Sequence, residues 1–331
     1  MPTVSIIVPV YNEEKTIGLL LEALYQQSYP RAEMEVILAD GMSTDNTRQA
    51  IEQFRQTHPD LNIRVIDNHK RTIPSALNLA IEAAQGEYIV RLDAHSSPRP
   101  DYVERSVQGL EDGLGVNVGG VWRIQPGADT WIARSIAKAA AHPLGVGDAL
   151  YRHTTKAQAV DTVPFGAFRK SLIDEIGAFD ETLLANEDYE FNTRVRQQDG
   201  TVWLDPAIQS TYYARPTLIA LAKQYARYGF WKVRMLRRYP GTIRWRQSLP
   251  PLFVMGLITL FVASLLYTPL VWKLLAAVVS YALVLLAVGA QVALRERTIA
   301  FLFGVPLAIA CMHLCWGGAF LWSLLTIWRT A

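Results

Sequence analysis

Cysteine is scarce in this 331-residue sequence, and it is confined to one place. Its two cysteines, Cys311 and Cys315, lie in a single apolar run, so a disulfide framework is excluded and a metal site there lacks further ligands. Because they are one helical turn apart, we predict that they are small packing residues on a shared helix face. The first apolar run is not followed by Gly-x-Gly-x-x-Gly, which argues against a dinucleotide-dependent dehydrogenase.

Acidic residues almost disappear from the C-terminal part. Residues 1–205 contain 19 Lys and Arg against 29 Asp and Glu, whereas residues 206–331 contain 13 Lys and Arg against one acid, Glu296. The bases of this tail flank apolar runs, which favours anionic lipid over nucleic acid as the partner. The N-terminus lacks the basic leader of a signal peptide, and its apolar stretch soon meets Asn12 and Glu13. We therefore expect the first 200 residues in the cytoplasm.

Charge is nearly absent from two long stretches near the C-terminus. Lys273 is the only charged residue from Pro251 to Leu294, and none occurs from Thr298 to Trp328. A bilayer core takes about 20 apolar helical residues. We predict two spans in the first stretch, turning near Thr268–Lys273, and one in the second. The positive-inside rule then places residues 1–246 on the cytoplasmic side of the inner membrane and the C-terminus outside.

The first part of the chain alternates between strand-length apolar runs and helical periodicity. Strands are predicted at 3–9, 35–39, 63–67 and 87–92, and helices at 13–27, 45–57 and 75–85. This alternation predicts an α/β fold with a doubly wound, mostly parallel sheet. Ligands bind at the carboxyl ends of the strands in such sheets. Polar clusters occur at three of these ends, namely Val10–Glu13, Asp40–Asp45 and Asp93–His95.

Four motifs in order resemble those of family 2 glycosyltransferases with the GT-A fold. They are SIIVPVYNEE from Ser5, DGMSTDNT from Asp40, RLDAH from Arg91, and FDE from Phe179 followed by NEDYEF from Asn186. Within that family the sequence looks most like the succinoglycan-type exopolysaccharide glucosyltransferases, because of its DGMSTD and DAH motifs and its apolar C-terminal runs. The resemblance covers residues 3–240 and implies an inverting transferase that uses a nucleotide-sugar donor.

The resemblance implies a donor site at the ends of the strands. Asp40 would accept a hydrogen bond from a uracil-type imide, Gly166 would let the donor sugar approach the backbone, and Arg227 would contact the diphosphate. The loop after the first strand would cup the nucleotide base and ribose with Pro9, Tyr11, Asn12 and Glu13.

Asp93 and His95 stand where the family usually has Asp-x-Asp. Alternate residues at a strand end point to the same side, so both could hold a divalent cation together with two donor phosphate oxygens. The metal would stabilise the charge that develops on the leaving diphosphate. Imidazole is a softer ligand than carboxylate, which favours Mn²⁺ over Mg²⁺.

Glu187 and Asp188 occupy the position of the family's catalytic base. Asp188 would take the proton of the acceptor hydroxyl as that oxygen attacks the anomeric carbon, while Glu187 would form hydrogen bonds nearby. The segment from Gln224 resembles a variant of a Gln-x-x-Arg-Trp motif, with Tyr228 in place of Trp. This likeness predicts that Gln224 and Tyr228 lie on the acceptor side.

We therefore expect a GT-A domain at 1–214, amphipathic basic membrane-interface helices at 215–249, and a transmembrane region with three helices at 250–331. Six bases and no acid occur between 232 and 246, which suits a helix lying on anionic lipid. The acceptor would be a membrane-held, polyprenyl-diphosphate-linked saccharide in exopolysaccharide or surface-glycan assembly. A polyprenyl-phosphate sugar synthase, a processive polysaccharide synthase and a non-catalytic nucleotide-sugar sensor stay open as alternatives. The sequence names neither sugar nor linkage and assigns no role to Gly145–Arg152.

Overall fold

The computed structural model describes residues 2–326, which form two compact units. One unit comes from the chain up to Arg123 together with Leu150–Tyr212. The other comes from Ile124–Ala149 together with the chain from Tyr213 onward. The predicted third span and transmembrane region extend past residue 326, and that last portion lies outside the described residues.

The described part of the chain contains nine strands and twelve α-helices. The strands are β1 (Val4–Val10), β2 (Met34–Asp40), β3 (Asn62–Asp67), β4 (Tyr88–Arg91), β5 (Ser96–Pro98), β6 (Asn117–Pro126), β7 (Gln158–Ala159), β8 (Ala167–Arg169) and β9 (Val202–Ala214). The helices are α1 (Ile17–Tyr25), α2 (Thr47–Thr57), α3 (Ile73–Ala83), α4 (Tyr102–Glu111), α5 (Trp131–Ala140), α6 (Pro143–Val146), α7 (Leu172–Ile176), α8 (Glu187–Gln197), α9 (Leu218–Arg238), α10 (Trp245–Leu266), α11 (Leu270–Glu296) and α12 (Phe301–Thr326).

One sheet contains all nine strands of the described residues, in the order β3-β2-β1-β4-β8-β6-β9-β5, with β7 paired to β9. β1 is parallel to β2 and β4, and β2 is parallel to β3, as the alternation of strands and helices predicted. The sheet then continues with antiparallel pairs of β4 with β8, β8 with β6, and β9 with β5 and β7. The parallel arrangement is therefore confirmed for the first four strands, and these other pairs are antiparallel.

Helices cover both faces of the parallel strands. Alternate residues of a strand point to opposite faces, so Ile6 and Val8 of β1 join one apolar core while Ile7 joins the other. Leu21 of α1 packs in the first core and Leu77 of α3 packs in the second. All five side chains are fully buried, so a slip of β1 by one residue would move its side chains into the opposite core and disrupt the packing of both. Their burial fixes the strand register and holds the carboxyl ends at one edge.

The second unit is mainly helical, and its described residues include three helices long and apolar enough to cross a membrane. These are α10, α11 and α12, with mean hydropathies of 2.2, 2.2 and 1.6. The three apolar helices predicted from the sequence are therefore present. Within an apolar 18-residue stretch of each helix, 44% of α12 is buried by protein, against 11% of α10 and 6% of α11. α12 is therefore in a different environment from the other two.

The basic segment 232–246 is not a single exposed helix. α9 ends at Arg238, and α10 begins seven residues later at Trp245. Lys232 is buried and donates a hydrogen bond to the carbonyl of Thr242 at 3.3 Å. Arg246 contacts the carboxylate of Asp148. Arg244 Nη1 lies 3.6 Å from the same carboxylate. Three of the six bases thus have protein partners, and the predicted membrane-interface role of the segment stays a prediction.

Candidate active site

Asn12 joins the loop after β1 to the loop after β2. Its backbone has a φ of 54°, a left-handed conformation that asparagine tolerates better than most residues. Its N–H donates to Ser43 Oγ at 2.9 Å, and its Oδ1 accepts from the N–H of Thr44 at 2.9 Å. Tyr11 beside it is 47% exposed. The first two predicted donor-binding loops therefore form one structure, with an aromatic ring on its surface.

Asp40 ends β2 and is fully buried. Its carboxylate accepts hydrogen bonds from the N–H of Ser43 at 3.1 Å, from Ser43 Oγ at 2.5 Å and from Arg48 Nε at 2.6 Å. Arg48 also pairs with Asp67 at 2.5 Å, and this hydrogen bond holds the pKa of Asp67 below its usual range. Asp40 thus organises the loop in this structure. A uracil imide would have to replace one of its present donors, so the predicted role stays a prediction.

Asp93 and His95 lie in a turn and not at the end of a strand. β4 ends at Arg91, and the carbonyl of Asp93 accepts from the N–H of Ser96 at 2.9 Å and from its hydroxyl at 2.7 Å. The assumption that both side chains share one side of a strand is therefore wrong. His95 Nδ1 lies 3.1 Å from Glu13 Oε1, so the turn contacts the loop after β1.

Glu187 and Asp188 begin α8 and face the end of β4. Asn186 is the N-cap residue of this helix, and its φ of 66° turns the chain sharply before the two carboxylates. Arg91 Nη2 lies 3.1 Å from Glu187 Oε1 and 3.3 Å from Asp93 Oδ1, and Arg91 Nη1 contacts Asp188 Oδ1. The structure therefore brings the two acids predicted for proton transfer, Glu187 and Asp188, and the predicted metal ligand Asp93 around one guanidinium.

Gly166 lies beneath this cluster, and its backbone carbonyl accepts from the N–H of Arg91 at 3.2 Å. A Cβ at this position would clash with the amide of Asn117, which is buried and donates to Asn192 Oδ1 at 2.6 Å. Packing against Asn117 is sufficient to require glycine here. The neighbouring Phe165 has a φ of 61°, which is unusual for a bulky side chain and is typical of strained functional sites. The donor-binding role of Gly166 stays a prediction.

The remaining predicted residues lie on β1 and α9. Pro9 lies within β1, opposite Ala39 of β2. Gln224, Arg227 and Tyr228 lie on α9 in the second unit, where Gln224 Nε2 donates to the Tyr228 hydroxyl at 3.0 Å. Their diphosphate and acceptor roles stay predictions.

Sequence reasoning missed two arginines. Arg91 was part of a motif but received no role. Arg152, from the unassigned segment, is buried with its guanidinium 4.8 Å from the Trp122 ring and 5.7 Å from the Tyr212 ring. Trp122 and Tyr212 stack at 4.1 Å. No local sequence signal pointed to the burial of Arg91 at the end of β4, and nothing in the sequence paired Arg152 with these rings.

Comparison with known proteins shows which sequences and structures are similar. The chain is 29% identical over 273 residues to a dolichyl N-acetyl-alpha-D-glucosaminyl phosphate 3-beta-D-2,3-diacetamido-2,3-dideoxy-beta-D-glucuronosyltransferase of Methanococcus voltae, covering 80% of this chain and 83% of the relative. It is 28% identical over 333 residues to the succinoglycan biosynthesis protein ExoA of Rhizobium meliloti (strain 1021), covering 98% and 96%.

Solved structures share the fold. The mannosyltransferase PcManGT of Pyrobaculum calidifontis, in complex with GDP-Man and Mn²⁺, superposes with a TM-score of 0.63 at 21% identity, covering 100% of this chain and 88% of that protein. The first 349 residues of TarS of S. aureus, in complex with UDP-GlcNAc, superpose with a TM-score of 0.51 at 20% identity, covering 74% of each chain. The predicted GT-A-like fold is thereby confirmed. The sequence model of glycosyl transferase family 2 matches residues 5–177, more than half of the chain, and the chain belongs to this family of glycosyltransferases.

Proposed function

We propose that this glycosyltransferase moves a sugar, with inversion, from a UDP-linked donor to a polyprenyl-diphosphate-linked saccharide at the cytoplasmic face of the inner membrane. One observation carries the proposal. Asp93, Glu187 and Asp188 converge on Arg91 at the carboxyl edge of the parallel strands, where α/β sheets bind their ligands. The carboxylates that we assign to the donor and to the acceptor thus contact one guanidinium, which supports a direct displacement.

The proposed donor side includes a divalent cation held by Asp93 and His95. Among the described residues, no group of three or more His, Cys, Asp or Glu side chains is placed to hold a metal. A cation here would therefore take two protein ligands and complete its shell with donor phosphate oxygens and water. When bound, it would neutralise charge on the leaving diphosphate. The carboxylate of Glu13, 3.1 Å from His95 Nδ1, is the kind of partner that orients a metal-binding imidazole. The imidazole favours Mn²⁺ over Mg²⁺.

Asp188 is the proposed base because it is the more accessible of the two acids that begin α8. Its side chain is 27% exposed, against 12% for Glu187. Asp188 would accept the acceptor's hydroxyl proton while the hydroxyl oxygen displaces the diphosphate from the opposite face of the sugar. An α-linked donor then gives a β-linked product. The name of the M. voltae relative specifies a β-D-glucuronosyl group, which supports this stereochemistry.

Lipid-linked saccharide is the proposed acceptor class. The M. voltae relative is named for a dolichyl-phosphate-linked sugar, and the R. meliloti relative is named for succinoglycan biosynthesis. The three apolar helices of the second unit suit a protein that meets its acceptor in a bilayer.

A polyprenyl-phosphate sugar synthase is the second candidate. The chain is 31% identical over 136 residues to an undecaprenyl-phosphate 4-deoxy-4-formamido-L-arabinose transferase of Proteus mirabilis (strain HI4320), covering 41% of each chain. In that reaction the acceptor oxygen belongs to a phosphate and needs no base at neutral pH. Dependence on Asp188 therefore separates the two candidates.

The test uses the full chain purified in lipid nanodiscs. UDP-glucose, UDP-galactose and GDP-mannose are each offered with a polyprenyl-diphosphate-linked saccharide or with undecaprenyl phosphate, and products are identified by mass spectrometry and NMR. We expect a β-linked sugar added to the lipid-linked saccharide from a UDP donor. Transfer to undecaprenyl phosphate alone would support the second candidate, and an α-linked product would contradict direct displacement.

A further inference from the structure

We propose that Arg91 is a positioning residue that couples metal and donor binding at Asp93 to the placement of the base Asp188. This inference rests on the proposed function, because it assigns Asp93 to the donor side and Asp188 to the acceptor side. Arg91 would link occupancy of the donor side to the geometry of the acceptor side.

Arg91 is almost completely buried, with 3% of its side chain exposed. Its guanidinium contacts the carboxylates of Asp93, Glu187 and Asp188, which come from two separate parts of the chain. Arg91 Nε is buried and has no hydrogen-bond acceptor within the described part of the chain. The guanidinium is therefore held by its carboxylates and is not saturated by backbone carbonyls.

The backbone and ring around Arg91 fix where its side chain can go. Its N–H donates to the Gly166 carbonyl at 3.2 Å, which ties it to the segment before β8. The guanidinium carbon lies 5.9 Å from the centre of the Phe165 ring, whose strained backbone holds the ring under the cluster. A guanidinium confined in this way can redistribute its hydrogen bonds among its three acids without moving far.

The charges of the cluster do not balance. One guanidinium faces three carboxylates, which leaves an excess of two negative charges when all are ionised. A divalent cation would supply the missing charge, and it would compete with Arg91 for Asp93. Once Asp93 binds the metal, Arg91 is left to Glu187 and Asp188. Donor binding thereby strengthens the contact that orients the base.

A structural ion pair elsewhere in the sheet provides the contrast. Arg64 lies 2.9 Å from Glu35, a fully buried carboxylate near the amino end of β2. Glu35 also accepts from Ser5 Oγ and from the N–H of Gln85, each at 2.6 Å. That pair has one cation for one acid and lies at the edge of the sheet opposite the site. Arg64→Gln is therefore a control for the loss of an arginine, itself 36% exposed, that pairs with a buried acid away from the site.

The experiment compares Arg91→Gln, Arg91→Lys and Arg64→Gln with the parent chain in nanodiscs. Calorimetry measures binding of Mn²⁺ with UDP, and steady-state kinetics measure kcat and the donor KM. For Arg91→Gln we expect Mn²⁺ binding that is unchanged or up to roughly tenfold tighter, because a competing cation is removed. We expect kcat to fall about 100-fold. Arg91→Lys should recover part of kcat, and Arg64→Gln should change neither quantity.

Two outcomes would overturn the coupling role. One is parallel loss of Mn²⁺ binding and kcat in Arg91→Gln, which indicates a merely structural residue. The other is a kcat within about threefold of the parent. A double variant adds a third criterion. If Arg91 acts through Asp188, adding Arg91→Gln to Asp188→Asn should lower kcat little further, whereas multiplicative losses would refute the inference. Failure of the proposed function is distinguishable, because the parent chain would then show no transfer to lipid-linked saccharide.

Discussion

Replacing Asp188 by asparagine removes the proposed base while keeping the size and shape of the side chain. A positioned general base typically contributes about 10²–10⁴-fold to the rate, so kcat for transfer should fall by that factor. Donor affinity should fall much less than turnover, because the residues assigned to the donor, including Asp93 and Asp40, keep their own partners. Asp93→Asn should weaken donor and metal binding as well as turnover.

The stability cost of Asp188→Asn follows from its contacts. Arg91 keeps Glu187 and Asp93, and the lost carboxylate was 27% exposed, so one charge-assisted contact worth about 1 kcal/mol is lost. Loss of an acid from the first turn of α8 adds about 0.3 kcal/mol or more. The melting temperature should therefore drop by only about 2–6 °C. A loss of turnover this large cannot then be ascribed to unfolding at assay temperature.

The assay combines single-turnover transfer, UDP calorimetry and thermal melting on the same nanodisc preparation. Asp199→Asn is the matched control, because Asp199 is an exposed carboxylate just after α8 with a φ of 57° that asparagine also adopts readily. It should match the parent chain in all three measurements. The reasoning is refuted if Asp188→Asn turns over within about tenfold of the parent, or if it loses donor affinity as Asp93→Asn does.

Four further predictions concern the metal, packing, helix stability and topology. Chelation by EDTA should abolish transfer and Mn²⁺ should restore it better than Mg²⁺, so full activity in chelator would remove the metal assignment to Asp93 and His95. Gly166→Ala should destabilise the chain by about 1–3 kcal/mol in denaturant unfolding, because the new methyl group meets the amide of Asn117. Gly18→Ala, with no described atom within 4 Å of its added Cβ, should stabilise α1 by about 0.5–1 kcal/mol. A reporter fused to the C-terminus should be active outside the cytoplasm, and activity only inside would reverse the predicted orientation.

The parallel half of the fold was predictable because its strands are continuous apolar runs separated by amphipathic helices. Val4–Val10 and Met34–Asp40 are buried on both faces, so almost every residue is apolar. The antiparallel half gave no such pattern. β5 and β8 have three residues each, which is too short for a periodicity, and β9 mixes buried and half-buried positions over 13 residues. Their pairing depends on contacts that only the folded chain defines.

The site was predictable in its residue types but not in its pairing. Asp93, Glu187 and Asp188 were identified from motifs, and the structure brings them together. Arg91 was overlooked because a basic residue at the end of a strand usually lies in solvent. Its burial follows from the arrival of α8, about a hundred residues later in the chain, which supplies two of its three acids. No local pattern carries that information.

Apolar length likewise predicted three helices but not what surrounds each of them. α11 exposes apolar side chains on nearly every side, since only 6% of its apolar 18-residue stretch is buried. In α12, by contrast, 44% of the corresponding stretch is buried. Gly229 of α9 lies against the backbone of α12 at Trp316, where a side chain on residue 229 would not fit. A close approach of backbones at glycine is how helices associate when apolar contact with lipid gives no advantage. α12 therefore combines the composition of a membrane helix with the packing of a core helix, which a hydropathy profile cannot distinguish.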